Sequence, residues 1–126
     1  MLFRSDNELK LRNSAANYYT QNINKKFISP HIPNKYYSSW AQYSILVPEG
    51  MERDKVIAKL SQNNIPAMVY YKIPAHLQEG YQKYQYVLGD FKVSEQASKR
   101  IFSIPMHPYL QKNDQGKIIE VLNSLI

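Results

Sequence analysis

The chain predicts an α+β fold: a small, largely antiparallel sheet with helices packed mainly on one face. Two observations carry this. Apolar residues recur at helical spacing in several segments, and short alternating or proline-bounded runs separate them, giving the order helix–strand–helix–strand–helix–strand–helix. The connections are rich in proline and asparagine, which end regular structure for defined backbone reasons.

The first helix is expected to start at a cap, Asp6 or Asn7, and to run to about Asn22. Leu9, Arg12, Ala16, Tyr19 and Ile23 fall near one face. Pro30 and Pro33 make 27–34 irregular. Trp40–Val47 reads as a strand, because Ala41, Tyr43, Ile45 and Val47 alternate, with Trp40 expected in the core. Pro48, Glu49 and Gly50 form a turn, and a helix from about Glu52 to Gln62 buries Val56, Ile57 and Leu60. Asn63 and Asn64 suit its exit, since asparagine tolerates the left-handed conformation.

Ala67–Tyr71, bounded by Pro66 and Pro74, reads as a second short strand. The stretch from His76 to Phe91 is expected to be mostly loop with one helical turn. Ser94 can cap a helix from Glu95 to about Phe102. Ser103–Met106 should be extended, because Pro105 and Pro108 block a helix. The last helix is placed at about Asn113–Leu125, with Ile118, Val121, Leu122 and Leu125 inward.

The 126 residues fit one domain, and a hydrophobic fraction of 44% with 21% charged residues argues for a folded globule. There is no cysteine, which removes disulfides, thiolate nucleophiles and Cys-based zinc sites together. No apolar run approaches the roughly 18 residues that span a bilayer, and the first residues lack the apolar core of a secretion signal. A cytoplasmic protein without a membrane partner is the expectation. The net charge of +6 favours anionic partners, but the positive residues are scattered rather than set in one stripe.

Several chemistries are set aside. The four glycines are isolated, so no phosphate-cradling loop exists. His31, His76 and His107 lie in separate loops with no metal-ligand spacing, and no metal is expected. No serine sits in a nucleophile elbow. Glu52 with Asp54 reads as a helix N-terminus complementing its dipole, not as an acid–base pair. What stands out is 64–78, a helix exit, a short strand and a proline-braced loop that presents tyrosines, a lysine, a histidine and a glutamine.

Those residues also carry a resemblance. Tyr70-Tyr71 and Pro74-Ala75-His76-Leu77-Gln78 are similar to the His/Tyr-Tyr-Pro and Pro-Leu-His-Leu-Gln pieces of the DegT/DnrJ/EryC1/StrS family of sugar aminotransferases. Arg12 with Ala16 and Tyr19, the strand from Trp40, Arg53-Asp54, Ile65-Pro66, Ser94-Glu95 and Ile104–Leu110 resemble further family pieces in the same order. Asn64 stands for the usual glycine, Lys72 and Lys92 for prolines, and Ala75 for leucine.

The resemblance is to the C-terminal small domain of a fold-type I aminotransferase. It implies an enzyme dependent on pyridoxal phosphate that transfers an amino group to a nucleotide-linked keto-sugar for polysaccharide or amino-sugar biosynthesis. It also implies a homodimer, and a large domain, absent here, that carries the cofactor and its lysine. No lysine of this chain sits in that lysine's context, so no catalytic and no cofactor-binding residue is expected, and the chain alone should not transaminate. Tyr70, Tyr71, His76 and Gln78 are the implied substrate-binding residues, donors suited to a diphosphate, and Lys72, which stands where the family has proline, adds a positive charge and is counted with them as substrate-binding. The alternative is a free-standing basic module that binds single-stranded nucleic acid or a protein. The aromatics follow no RNA-binding strand motif, which speaks against nucleic acid.

Overall fold

In the computed structural model, which describes residues 2–126 with side chains from Asp6 onward, four α-helices accompany a two-stranded antiparallel sheet. In chain order these are α1 (Leu2–Asn22), β1 (Tyr43–Leu46), α2 (Arg53–Gln62), two short 3-10 segments (Ala75–Leu77 and Glu79–Tyr84), α3 (Lys92–Arg100), β2 (Ile101–Ile104) and α4 (Lys112–Asn123). The architecture is α+β, as expected.

The sheet register explains where the core lies. Tyr43 pairs with Ile104 and Ile45 with Phe102, and these four side chains share one face because alternate residues point the same way. All four are buried, together with Ala16, Tyr19 and Ile23 from α1, Val56 and Leu60 from α2, and Ile118, Ile119 and Leu122 from α4. On the other face Ser44 and Ser103 share a hydrogen bond of 2.7 Å. Tyr43 stacks on Trp40 and meets Tyr19, with centroids 5.5 and 5.1 Å apart. Both tyrosine hydroxyls are satisfied, Tyr43 by Thr20 Oγ1 at 2.7 Å and Tyr19 by the Pro105 carbonyl at 3.0 Å. Trp40 is buried, as predicted, whereas Ala41 is exposed and lies outside the strand.

Polar ties close the helix ends. Asn123 at the end of α4 accepts from Asn24 N–H and donates to the Asn22 carbonyl, which α1 leaves without a helical partner. Arg53, buried at the start of α2, donates through Nη1 to the Ser98 carbonyl at 2.6 Å near the end of α3. Asn64 adopts φ 58°, the left-handed exit its side chain predicts.

Besides β1, which is shorter than the expected Trp40–Val47, three segments differ from the sequence expectation. α1 already runs from Leu2, so Asp6 and Asn7 lie inside it and cap nothing. α3 starts at Lys92 and stops at Arg100, because Ile101 and Phe102 pair with Leu46 and Ile45 and so belong to the sheet; Ser94 lies in its first turn.

The third difference matters most for the site. The expected strand at Ala67–Tyr71 is one isolated bridge, Met68 to Ser103, with hydrogen bonds of 3.0 and 2.8 Å. In that register the next hydrogen-bonded pairs would be Pro66 with Pro105 and Tyr70 with Ile101. Two prolines supply no N–H between them. The Ile101 N–H is already given to the Ala97 carbonyl at the end of α3. The ladder stops on both sides, and the chain leaves the sheet at Val69.

Candidate substrate-binding loop

From Tyr70 to Ser94 no residue is buried in the core, a long excursion for a domain of this size. It is nonetheless ordered by local contacts. Pro74 leads into the first 3-10 turn, and Gln78 Nε2 reaches back to the Ile73 carbonyl at 3.1 Å. Gln85 takes φ 60° after the second 3-10 segment and Gly89 takes φ 102°, where a side chain would be strained. The Val87 N–H is held by Asp90 Oδ2 at 2.8 Å. Phe91 packs its ring against His76 and Tyr86, with centroids 4.8 and 5.0 Å away.

The two ends of the excursion meet at one carboxylate oxygen. Glu95 Oε1 accepts from His76 Nε2 at 3.0 Å, Gly89 N–H at 2.8 Å and Phe91 N–H at 3.2 Å. The side chains of His76 and Glu95 are only 8% and 9% exposed, so this contact is shielded from water. Burial raises the Glu95 pKa, but the two backbone N–H groups and His76 outweigh it and hold the carboxyl below its ordinary value.

The five sequence-predicted residues are not gathered into one pocket. His76 lines a cavity of about 280 Å³ walled by Tyr81, Tyr84, Tyr86 and Phe91. Tyr70 lines a separate cavity of about 140 Å³ beside Met68, Ser103 and Met106. Tyr71, Lys72 and Gln78 are exposed, and they line neither. Tyr70 and Tyr71 are both exposed, at 52% and 65%, because the strand that would have sent them to opposite faces does not form. Sequence reasoning passed over Glu95, Phe91 and the tyrosines at 81, 84 and 86 as site residues. The available signal for Glu95 was its place in the Phe-x-Val-x-Glu piece at 91–95.

Pyridoxal phosphate, which the resemblance implies, does not fit this chain. Its lysine must be desolvated beside an acidic or aromatic frame, and all twelve lysines are exposed. Among the described residues no cluster of histidine, aspartate and glutamate could hold a metal ion, and no helix is long and apolar enough to cross a membrane.

Comparison with known proteins decides the family. The profile of the DegT/DnrJ/EryC1/StrS aminotransferase family matches residues 1–123. The chain belongs to this family. A crystal structure of a DegT DnrJ EryC1 StrS aminotransferase from Brucella abortus superposes with a TM-score of 0.84 at 39% identity, covering 94% of this chain and 31% of that one. The dTDP-3-amino-3,6-dideoxy-alpha-D-galactopyranose transaminase of Aneurinibacillus thermoaerophilus is 27% identical over 118 residues, again 94% of this chain and 31% of its own length. The PLP form of the putative sugar aminotransferase Spr1654 from Streptococcus pneumoniae shares the fold, with a TM-score of 0.85 at 21% identity, over 98% of this chain and 32% of that one. The chain thus spans about a third of the length of these DegT-family relatives.

Proposed function

We propose that this chain is the small-domain portion of a nucleotide-sugar aminotransferase, that the 126 residues form that one domain, and that the loop from Tyr70 to Phe91 is one wall of the substrate site. The observation that carries the reading is the loop itself: it is held in shape by Glu95 yet buries nothing in the core, and it shows tyrosines and two lysines, Lys72 and Lys83, to the outside. A surface built to no internal purpose fits a face that meets a ligand or the rest of a larger enzyme. The DegT-family match across nearly the whole chain, at about a third of the relatives' length, supports placing the catalytic lysine and cofactor on the other two-thirds. Helices packed mainly on one face of the sheet, and a homodimer in the complete enzyme, belong to the same reading.

In this role Tyr70, Tyr71, Lys72, His76 and Gln78 bind and orient the nucleotide-linked sugar through hydroxyl, ammonium, imidazole and amide groups. None of them carries out a chemical step. The test is incubation of the chain with pyridoxal phosphate and borohydride, followed by peptide mapping. Sparse labelling scattered over exposed lysines is expected; one stoichiometrically labelled lysine would overturn the assignment.

A further inference from the structure

The histidine that sequence reasoning offers as a donor to a diphosphate is already spoken for on one side. His76 Nε2 lies 3.0 Å from Glu95 Oε1. An ionised carboxylate can only accept, so Nε2 must carry the hydrogen. The same oxygen also accepts from Gly89 and Phe91 N–H, which fits an ionised acceptor with no proton of its own to give.

The other ring nitrogen behaves differently. Among the described residues His76 has no hydrogen-bond partner besides Glu95. Every fully buried side-chain nitrogen and oxygen among them does have a partner. Nδ1 is therefore not fully buried, although the side chain as a whole is 92% covered (8% exposed). The ring also lines the aromatic cavity of about 280 Å³.

We propose that Glu95 is a positioning residue for His76: it holds the ring as the Nε2–H tautomer, so that Nδ1 meets the cavity as a hydrogen-bond acceptor for a ligand hydroxyl. The chemical consequence is specific. A lone pair on Nδ1 attracts a hydroxyl hydrogen and repels the oxygen of an anion. Within the substrate-wall reading, on which the ligand half of this inference rests, the Nε2–H tautomer of His76 reads the hydroxyl-bearing sugar or ribose and leaves the diphosphate to other donors. Glu95 does this from outside the cavity, in the manner of the outer partners that set the tautomer of functional histidines. It also clamps the loop behind the ring, because Gly89 and Phe91 hang on the same oxygen.

Nitrogen-detected NMR of the histidine rings in the 126-residue chain tests the two halves separately. At neutral pH the wild type should show a His76 Nε2–H proton protected from exchange with water, and no such proton for exposed His31 and His107. Glu95→Ala should lose that proton and the protection of the Gly89 and Phe91 amides, while Glu95→Gln, which keeps an acceptor oxygen, should retain the ring proton. The Trp40 indole resonance reports whether each variant is folded. If Glu95→Ala does not fold, the wild-type ring proton and its survival in Glu95→Gln decide. A His76 ring without a protected proton, a proton on Nδ1, or protection that survives in folded Glu95→Ala overturns the positioning role. UDP-glucose and inorganic pyrophosphate are then added in turn. A shift of the Nδ1 resonance with UDP-glucose alone supports the hydroxyl assignment, and an equal shift with pyrophosphate overturns it. A correct tautomer with no response to either probe overturns the substrate-wall reading and leaves the Glu95–His76 relationship standing.

Discussion

Trp40 donates its indole N–H to Asn13 Oδ1 at 3.0 Å, and this bond fastens α1 to the residue that leads into β1. Trp40 has φ 48°, an uncommon conformation for a bulky residue. Its surroundings over-determine it: Arg12 Nη1 donates to its carbonyl at 3.0 Å, and its own N–H is held by Ser38 Oγ at 3.1 Å. Asn13 adds a second tie, donating through Nδ2 to the Ser38 carbonyl at 3.2 Å. Asn13→Ala removes both ties and leaves the buried indole N–H unpaired. It should cost about 1–3 kcal/mol, read from urea unfolding followed by the fluorescence of the single tryptophan.

The sheet face that fills the core should be the most sensitive to truncation. Phe102 is 1% exposed and pairs with Ile45 across the ladder. Phe102→Ala should destabilise the fold by about 3–5 kcal/mol and Ile45→Val by about 0.5–1.5 kcal/mol. Chemical denaturation of the two variants under one set of conditions checks the order as well as the size.

At acid pH the loop should loosen. The Glu95 carboxyl has a folded pKa below its ordinary value of 4.5, so its contribution is fully present above that value and is lost as pH falls through the lowered folded one. Amide exchange at Gly89 and Phe91 should accelerate in that acid window in the wild type. Glu95→Gln, which has nothing to titrate, should show no such step.

At alkaline pH the opposite sign applies. Burial raises the pKa of Tyr19 and, by the same cause, of Tyr43 above the ordinary phenol value. Stability from these neutral hydroxyls is present below pH 10 and declines as pH rises toward their folded values. Ultraviolet absorbance should reveal a late-ionising class of tyrosines whose titration coincides with unfolding. Tyr19→Phe should shrink that class.

Much of the frame was legible in the sequence because it rests on local periodicity. Tyr43, Ile45 and Val47 alternate, and all three are buried; Val56 and Leu60, and Ile118 and Leu122, mark the inward faces of α2 and α4. Asn64 announced its own backbone conformation. The misses are non-local. Ala67–Tyr71 has strand composition, but its ladder is cut by Pro105, some forty positions further along, and by the end of α3. Ile101 and Phe102 continue a helical pattern until their pairing with β1 is known. His76 could be picked out as a polar group on a braced loop, yet its partner lies 19 residues away in a helix, where a glutamate looks like ordinary surface. The resemblance pointed to the loop, and only the fold showed that the histidine's Nε2 is taken by Glu95.

The central claim is that the loop beyond Met68 is a substrate wall. Backbone NMR of the chain titrated with a nucleoside diphosphate sugar tests it most directly. Weak, saturable shifts centred on Tyr70, Tyr71, Lys72, His76 and Gln78, with the core strands unmoved, are the predicted result. Shifts centred on another surface, or none at saturating ligand, would contradict it.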